Sequence, residues 1–229
     1  MMYSDGKEFF TALLDALRKA EKCINIEFYI FKIDGIGSEI LSILEEKAAK
    51  GVEVRLLYDS VGSRTLNKRV LKNFISVGGK TGEFFPSWLK IINLNMNFRN
   101  HRKIVVIDNK IGFVGGFNVG DEYLGKNEKF GYWRDTHVKI EGDAVKDLNL
   151  RFLADWRYAT KEEVDIEHIV EEESRVCTGN KGIQILSSGP NLSDRFEIKL
   201  AYLKMIQKAK KYIYIQSPYL IIDNSIFHV

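Results

Sequence analysis

Four β-branched residues in a row, Ile104-Val105-Val106-Ile107, are closed by the turn-forming run Asp108-Asn109-Lys110 and followed by Ile111-Gly112-Phe113-Val114. An apolar run of this length between turn residues predicts a buried strand, and the second run predicts its return strand in a hairpin. The residues that flank the hairpin carry chemistry. His101-Arg102-Lys103 lead into it, and Gly115-Gly116-Phe117-Asn118 lead out. Side chains alternate along a strand, so His101 and Lys103 share a face. An imidazole beside a fixed cation suits a phosphate substrate: the ring attacks phosphorus or moves a proton while the ammonium holds an oxygen. Asp108 has the opposite parity and is expected at the turn, orienting backbone or neighbours. Gly115 and Gly116 let the backbone approach an anion and offer amides, and Asn118 offers a side-chain donor.

Upstream, helices and strands alternate. Ser4-Asp5-Gly6 caps a helix that Phe9, Phe10, Leu13, Leu14 and Leu17 carry to about Lys22. Residues 23–31 form a strand with Ile24, Ile26, Phe28 and Ile30 on one face and Asn25, Glu27, Tyr29 and Phe31 on the other. That mixed polar and aromatic face either lines a site or rests on a helix. A second helix, built on Ile40, Leu41, Ile43, Leu44 and Ala48, stops at Gly51. A strand over 52–58 and a loop over 59–64 with Gly62-Ser63 come next, then a third helix over 65–77 and a strand over 81–85. Downstream of the hairpin, 134–140 reads as a strand and 144–158 as a helix. Such alternation argues for an α/β sheet with parallel pairs, whose ligand sites favour the loops outside the strand ends. Residues 86–100 are apolar, with Trp88, Leu89, Ile91, Ile92, Leu94, Met96 and Phe98 just before His101. They form either a packed connector or a wall for acyl chains or a membrane surface. Phe130-Gly131-Tyr132-Trp133 places aromatics near the expected site mouth.

A chain of 229 residues allows one large domain or two small ones. Its net charge of +3 is too mild to argue for nucleic acid, while anionic partners stay allowed. Cys23 and Cys177 make no disulfide framework, so a reduced setting is expected. No apolar run reaches the roughly 18 residues a membrane span needs, and no signal peptide opens the chain. His101, His137, His168 and His228 show no ligand spacing, and Lys103 would repel a cation beside His101, so no metal is expected.

The chain also resembles itself. Ser4-Asp5, Glu8, Ala20, Ile24, Ile26 and Asp34 each meet an identical residue 189 positions on: Ser193-Asp194, Glu197, Ala209, Ile213, Ile215 and Asp223. The ungapped match predicts a duplicated domain. We read residues 1–159 as the first half, 160–181 as an acidic linker and 182–229 as the truncated start of a second half. The counterpart of His101 would fall at about residue 290, beyond Val229.

His101, Lys103, Asp108 and the trailing Gly115-Gly116-Phe117-Asn118 resemble the first HxKxxxxD motif, with its GGxN, of the phospholipase D superfamily. Ile26-Glu27-Phe28-Tyr29-Ile30-Phe31, Asn100-His101-Arg102-Lys103 and Trp133-Arg134-Asp135-Thr136-His137-Val138 resemble bacterial cardiolipin synthases more closely. The resemblance implies a phospholipase D-like α/β/α sandwich with a mixed, partly parallel sheet and a truncated second repeat. It implies phosphatidyl transfer between two phosphatidylglycerol molecules, giving cardiolipin and glycerol through a phosphohistidine, with no cofactor. His101 would be the nucleophile or the general acid, the two motif histidines dividing those roles. Lys103 and Asn118 would bind phosphate oxygens, with the Gly116 amide beside them. Asp135 would hold the other nitrogen of His101, and Asp108 completes the motif. The partners implied are phosphatidylglycerol and other anionic phospholipids, a membrane surface and the missing second half, with no nucleic acid. The full-length enzyme would sit at the cell membrane with its active domain on the cytoplasmic side. Relatives usually carry transmembrane helices upstream and none is present here, so the chain is expected to be a soluble fragment, inactive alone. Two other readings compete: a phosphodiesterase, phospholipase or nuclease, that completes its site by homodimerisation, and a binding module with a vestigial site.

Overall fold

The computed structural model describes residues 1–84, 99–170, 179–189, 196–217 and 223–227. Contacts divide the chain into two units, Met1–Ile183 and Gln184–Val229.

The first unit is built on a seven-stranded sheet. Its strands are β1 (Met2–Asp5), β2 (Cys23–Phe28), β3 (Glu53–Asp59), β4 (Lys80–Phe84), β5 (Ile104–Ile107), β6 (Ile111–Gly115) and β7 (Arg134–Glu141). They lie in the order β1-β7-β6-β5-β2-β3-β4. The pairs β2–β3 and β3–β4 are parallel, and every other pair is antiparallel. Helices α1 (Gly6–Arg18) and α2 (Gly35–Ala49) cover one face, and α4 (Ala144–Thr160) covers the other. The result is the expected α/β/α arrangement with a mixed sheet.

The apolar run 104–107 is buried on both sides, as a central strand requires. Val105 and Ile107 join a core with Phe9, Leu13, Leu17, Ile40 and Leu44, while Ile104 and Val106 face α4. α4 comes close because β4 and β6 carry glycines beneath it. A Cβ on Gly112 would stand 2.8 Å from Leu148, and one on Gly82 would stand 2.9 Å from Leu57 and 3.2 Å from Trp156. The hairpin turn puts Asp108 and Asn109 at φ 53° and 54°, a region these two residue types tolerate.

Two expectations are corrected. The helix expected over 65–77 shrinks to α3 (Lys72–Ser76). Asn67 explains this: its side chain accepts from the N–H groups of Arg69 and Val70 at 3.0 and 3.1 Å, a local turn that competes with helix. The strand expected over 23–31 ends at Phe28, after which Phe31 turns into the core. β1 was not expected. It is a four-residue edge strand held by β7, where Tyr3 pairs with His137 far along the chain. The acidic segment read as a linker carries a short helix, α5 (Glu167–Val170), that buries Ile169. The apolar segment ahead of His101 lies outside the described residues from 85 to 98.

Among the described residues the second unit has two helices, α6 (Glu197–Lys208) and α7 (Asn224–Phe227), with no residue of either buried. Residues 212–217, which the 189-residue offset aligns with 23–28, form no strand. Their counterpart β2 is flanked by β3 and β5, whereas no strand is described in this unit.

Candidate functional site

The register of the sheet gathers one end of five strands. β5 runs antiparallel to β2 with Glu27 opposite Ile104, so the residues entering β5 lie beside those leaving β2. Val114 pairs with Ile104, which places Gly115-Gly116 next to them, and Gly115 pairs with His137 just after Asp135. Asp59 closes β3, parallel to β2, at the same end. His101, Lys103, Gly116, Asn118 and Asp135 therefore converge at the carboxyl ends of the parallel strands, where α/β sheets place ligands. Asp108, at the other end of β5, does not.

The His101 ring stacks on Tyr29, with centroids 4.0 Å apart and planes at 24°. The Lys103 ammonium lies 5.5 Å from the centre of the same ring and donates to the His101 carbonyl at 2.6 Å. Tyr29 thus backs both members of the pair. Burial and the neighbouring Lys103 charge lower the pKa of His101, while Asp59 opposes them. Burial lowers Lys103 to about 8, against the pull of Asp135 and Glu27. At neutral pH the site presents a largely neutral imidazole next to a cation, a combination suited to attack on a phosphodiester.

The other expected residues sit as follows. Asn118 accepts from Ile30 N–H at 3.1 Å and donates to the Tyr123 hydroxyl at 3.0 Å, so its amide also braces the loop. The Gly116 N–H donates to Thr136 at 2.9 Å within the strand pairing. What this glycine supplies is space: a Cβ there would stand 1.9 Å from the Asp135 carboxylate. Asp135 accepts from Thr136 N–H at 2.7 Å, and its charge acts on Lys103. Asp108 accepts from the N–H groups of Glu21, Lys22 and Cys23 at 2.9, 2.6 and 2.9 Å. It fastens the α1–β2 turn to the hairpin, the orienting role its parity predicts.

Sequence reasoning did not single out Asp59, Asn100 or the role of Glu27. Asp59 is buried and accepts from Val61 and Gly62 N–H at 2.8 and 3.1 Å, leaving its second oxygen without a partner among the described residues. Asn100 donates to Glu27 and accepts from Arg102 N–H at 3.1 Å, fixing the backbone that presents His101. Burial and the Asp155 carboxylate push the pKa of Glu27 well up. Asp155 binds Arg102 at 3.1 Å and Arg151 at 2.6 Å. The mixed face of β2 therefore does both things read from it. Asn25 bonds to Asn149 of α4 at 2.8 Å, while Glu27 and Tyr29 support the site.

Solved structures share this fold. The chain resembles NucT from Helicobacter pylori with a TM-score of 0.51 and 15% identity, covering 70% of this chain and 94% of that one. It resembles phosphatidylserine synthase of Haemophilus influenzae with a TM-score of 0.50 and 19% identity, covering 68% and 36%. These likenesses are of fold alone. Residues 13–156 match the family described as cardiolipin synthase, PLD-like domain, and the chain belongs to that family. It is 52% identical to cardiolipin synthase 2 of Staphylococcus epidermidis over 227 residues, 98% of this chain and 46% of that protein. It is 46% identical to cardiolipin synthase of Clostridium perfringens over 230 residues, 97% of this chain and 47% of that protein. The chain thus spans about half the length of these relatives.

Proposed function

We propose that this chain carries one half of the active site of a phosphatidyltransferase that makes cardiolipin from two phosphatidylglycerol molecules. The observation that carries the reading is the His101–Lys103 pair set on Tyr29 at the ligand end of the sheet, in a member of this family. An imidazole nitrogen attacks the phosphorus of one phosphatidylglycerol, the bond to glycerol oxygen breaks, and a second imidazolium protonates the leaving glycerol. The hydroxyl of another phosphatidylglycerol then attacks the phosphohistidine, the P–N bond breaks to free the ring, and the second imidazole, now neutral, takes the hydroxyl proton. Each half contributes one of these two histidines. Lys103 neutralises a non-bridging oxygen, and Asp135 holds the Lys103 charge in place. The internal 189-residue offset supports a second half that supplies the other histidine beyond Val229.

The test is lipid analysis after incubating phosphatidylglycerol vesicles with this chain and with the chain extended to about residue 400, roughly two repeats. Cardiolipin from the extended chain only is the expected result. Phosphatidic acid in its place would make the protein a hydrolase. Product from the 229-residue chain alone would show that two copies build a site.

A further inference from the structure

The loop after Asn118 presents aromatics to solvent. A 3-10 turn over Asp121–Leu124 ends at Gly125, whose φ is 71°, and the chain then folds back on Asn127. Asn127 accepts from the N–H groups of Phe130 and Gly131 at 3.1 and 2.9 Å through its carbonyl, and from Lys129 N–H at 3.0 Å through its side chain. The tip is thus ordered by its own backbone. Even so, Phe130 is 51% exposed and Tyr132 is 67% exposed. Trp133 anchors the tip: Phe130 meets it edge-on at 5.7 Å, and it meets Tyr123 edge-on at 5.0 Å. Tyr123 receives the hydrogen bond of Asn118, so the aromatic tip connects to the site through two contacts. Between positions 125 and 134 stand Lys126, Lys129 and Arg134 against the single acid Glu128, with Asp121, Glu122 and Asp135 just outside; Lys126 pairs with Asp121 at 3.2 Å yet keeps 56% of its side chain exposed.

Aromatic rings with one wet edge, ringed by cations, have the composition of a segment that rests in the headgroup layer of an anionic bilayer. We propose that the 125–134 loop is the docking surface for a bilayer containing anionic phospholipid. Phe130 and Tyr132 enter the interface, and Lys126 and Lys129 meet lipid phosphates. This inference rests on the reading of a phospholipid substrate. It adds the surface by which the site reaches that substrate.

The experiment is flotation of the 229-residue chain with phosphatidylcholine vesicles, with and without phosphatidylglycerol. Its variants are Phe130→Ser/Tyr132→Ser and Lys126→Glu/Lys129→Glu, all at exposed positions, with folding checked by circular dichroism. The aromatic pair should weaken binding about tenfold or more, from lost interfacial burial. The charge reversals should abolish the preference for phosphatidylglycerol and its salt dependence. Wild-type binding by the aromatic variant, or no vesicle binding by the unaltered chain, would overturn the proposal. Turnover by the extended chain separates this from the proposed function. The aromatic variant should lose activity on vesicles and keep it on short-chain monomeric phosphatidylglycerol. No turnover of either substrate by unaltered protein would instead sink the transferase reading.

Discussion

Burial and the Lys103 ammonium together lower the pKa of His101, and burial lowers Lys103 to about 8. The two shifts set a pH window. A neutral imidazole is lost on acidification, and a lowered pKa delays that loss below the ordinary value near 6.5. The Lys103 cation is lost as pH rises through about 8. In the extended chain, kcat/KM should therefore plateau between these limits, with an alkaline limb far below that of an ordinary lysine. His137 behaves differently. It is buried between β1 and β6, stacked on Phe9 at 4.0 Å, and neither ring nitrogen has a partner among the described residues. Burial pushes its pKa down to about 3. The unfolded chain takes up this proton below about 6.5 and the folded chain does not until far lower, so stability must fall on acidification. The contribution of His137 is about 1.4 kcal/mol per pH unit across that range, fully present above it. His137→Leu should flatten the slope in denaturant titrations at several pH values. An unchanged slope would place the lost stability elsewhere.

Element by element, local signals were legible and distant ones were not. The β5–β6 hairpin follows from a β-branched run and its turn residues, which need no other part of the chain. β1 has only Tyr3 to bury and exists because β7 is there to pair with it. Asp108 shows how a motif residue can serve the elements instead of the substrate. Asp108→Ala removes the acceptor for three N–H groups and should cost about 2 kcal/mol, seen as a lower Tm. The folded fraction should keep its turnover in the extended chain, and a loss of rate without a loss of stability would contradict this placement. The acids under the site are distinguishable too. Burial disfavours the charged form of Glu27, so Glu27→Gln should change stability by less than about 1 kcal/mol. Asp155 bridges two arginines, so Asp155→Asn should cost about 3 kcal/mol. Equal costs in chemical denaturation would reject the distinction. Tyr29 was visible as one member of a mixed strand face, but only the register that sets β5 beside β2 shows that it carries His101.

For the whole molecule, the 189-residue offset is legible in the sequence, yet the two segments it aligns differ in burial. Phe9 and Leu13 of α1 are fully buried, while Ile198 and Tyr202, 189 residues on, are 41% and 48% exposed. An amphipathic pattern says which face wants burial and not what covers it. The same limit applies to the site, which supplies one histidine where the proposed reaction needs two. The measurement that tests the account most directly is phosphatidylglycerol turnover by the extended chain carrying His101→Ala, beside the unaltered protein. The account predicts a rate at least about a thousandfold lower with folding unchanged, since nucleophile or acid is lost outright. Turnover within a few-fold of the unaltered protein would remove His101, and the site built around it, from the reaction.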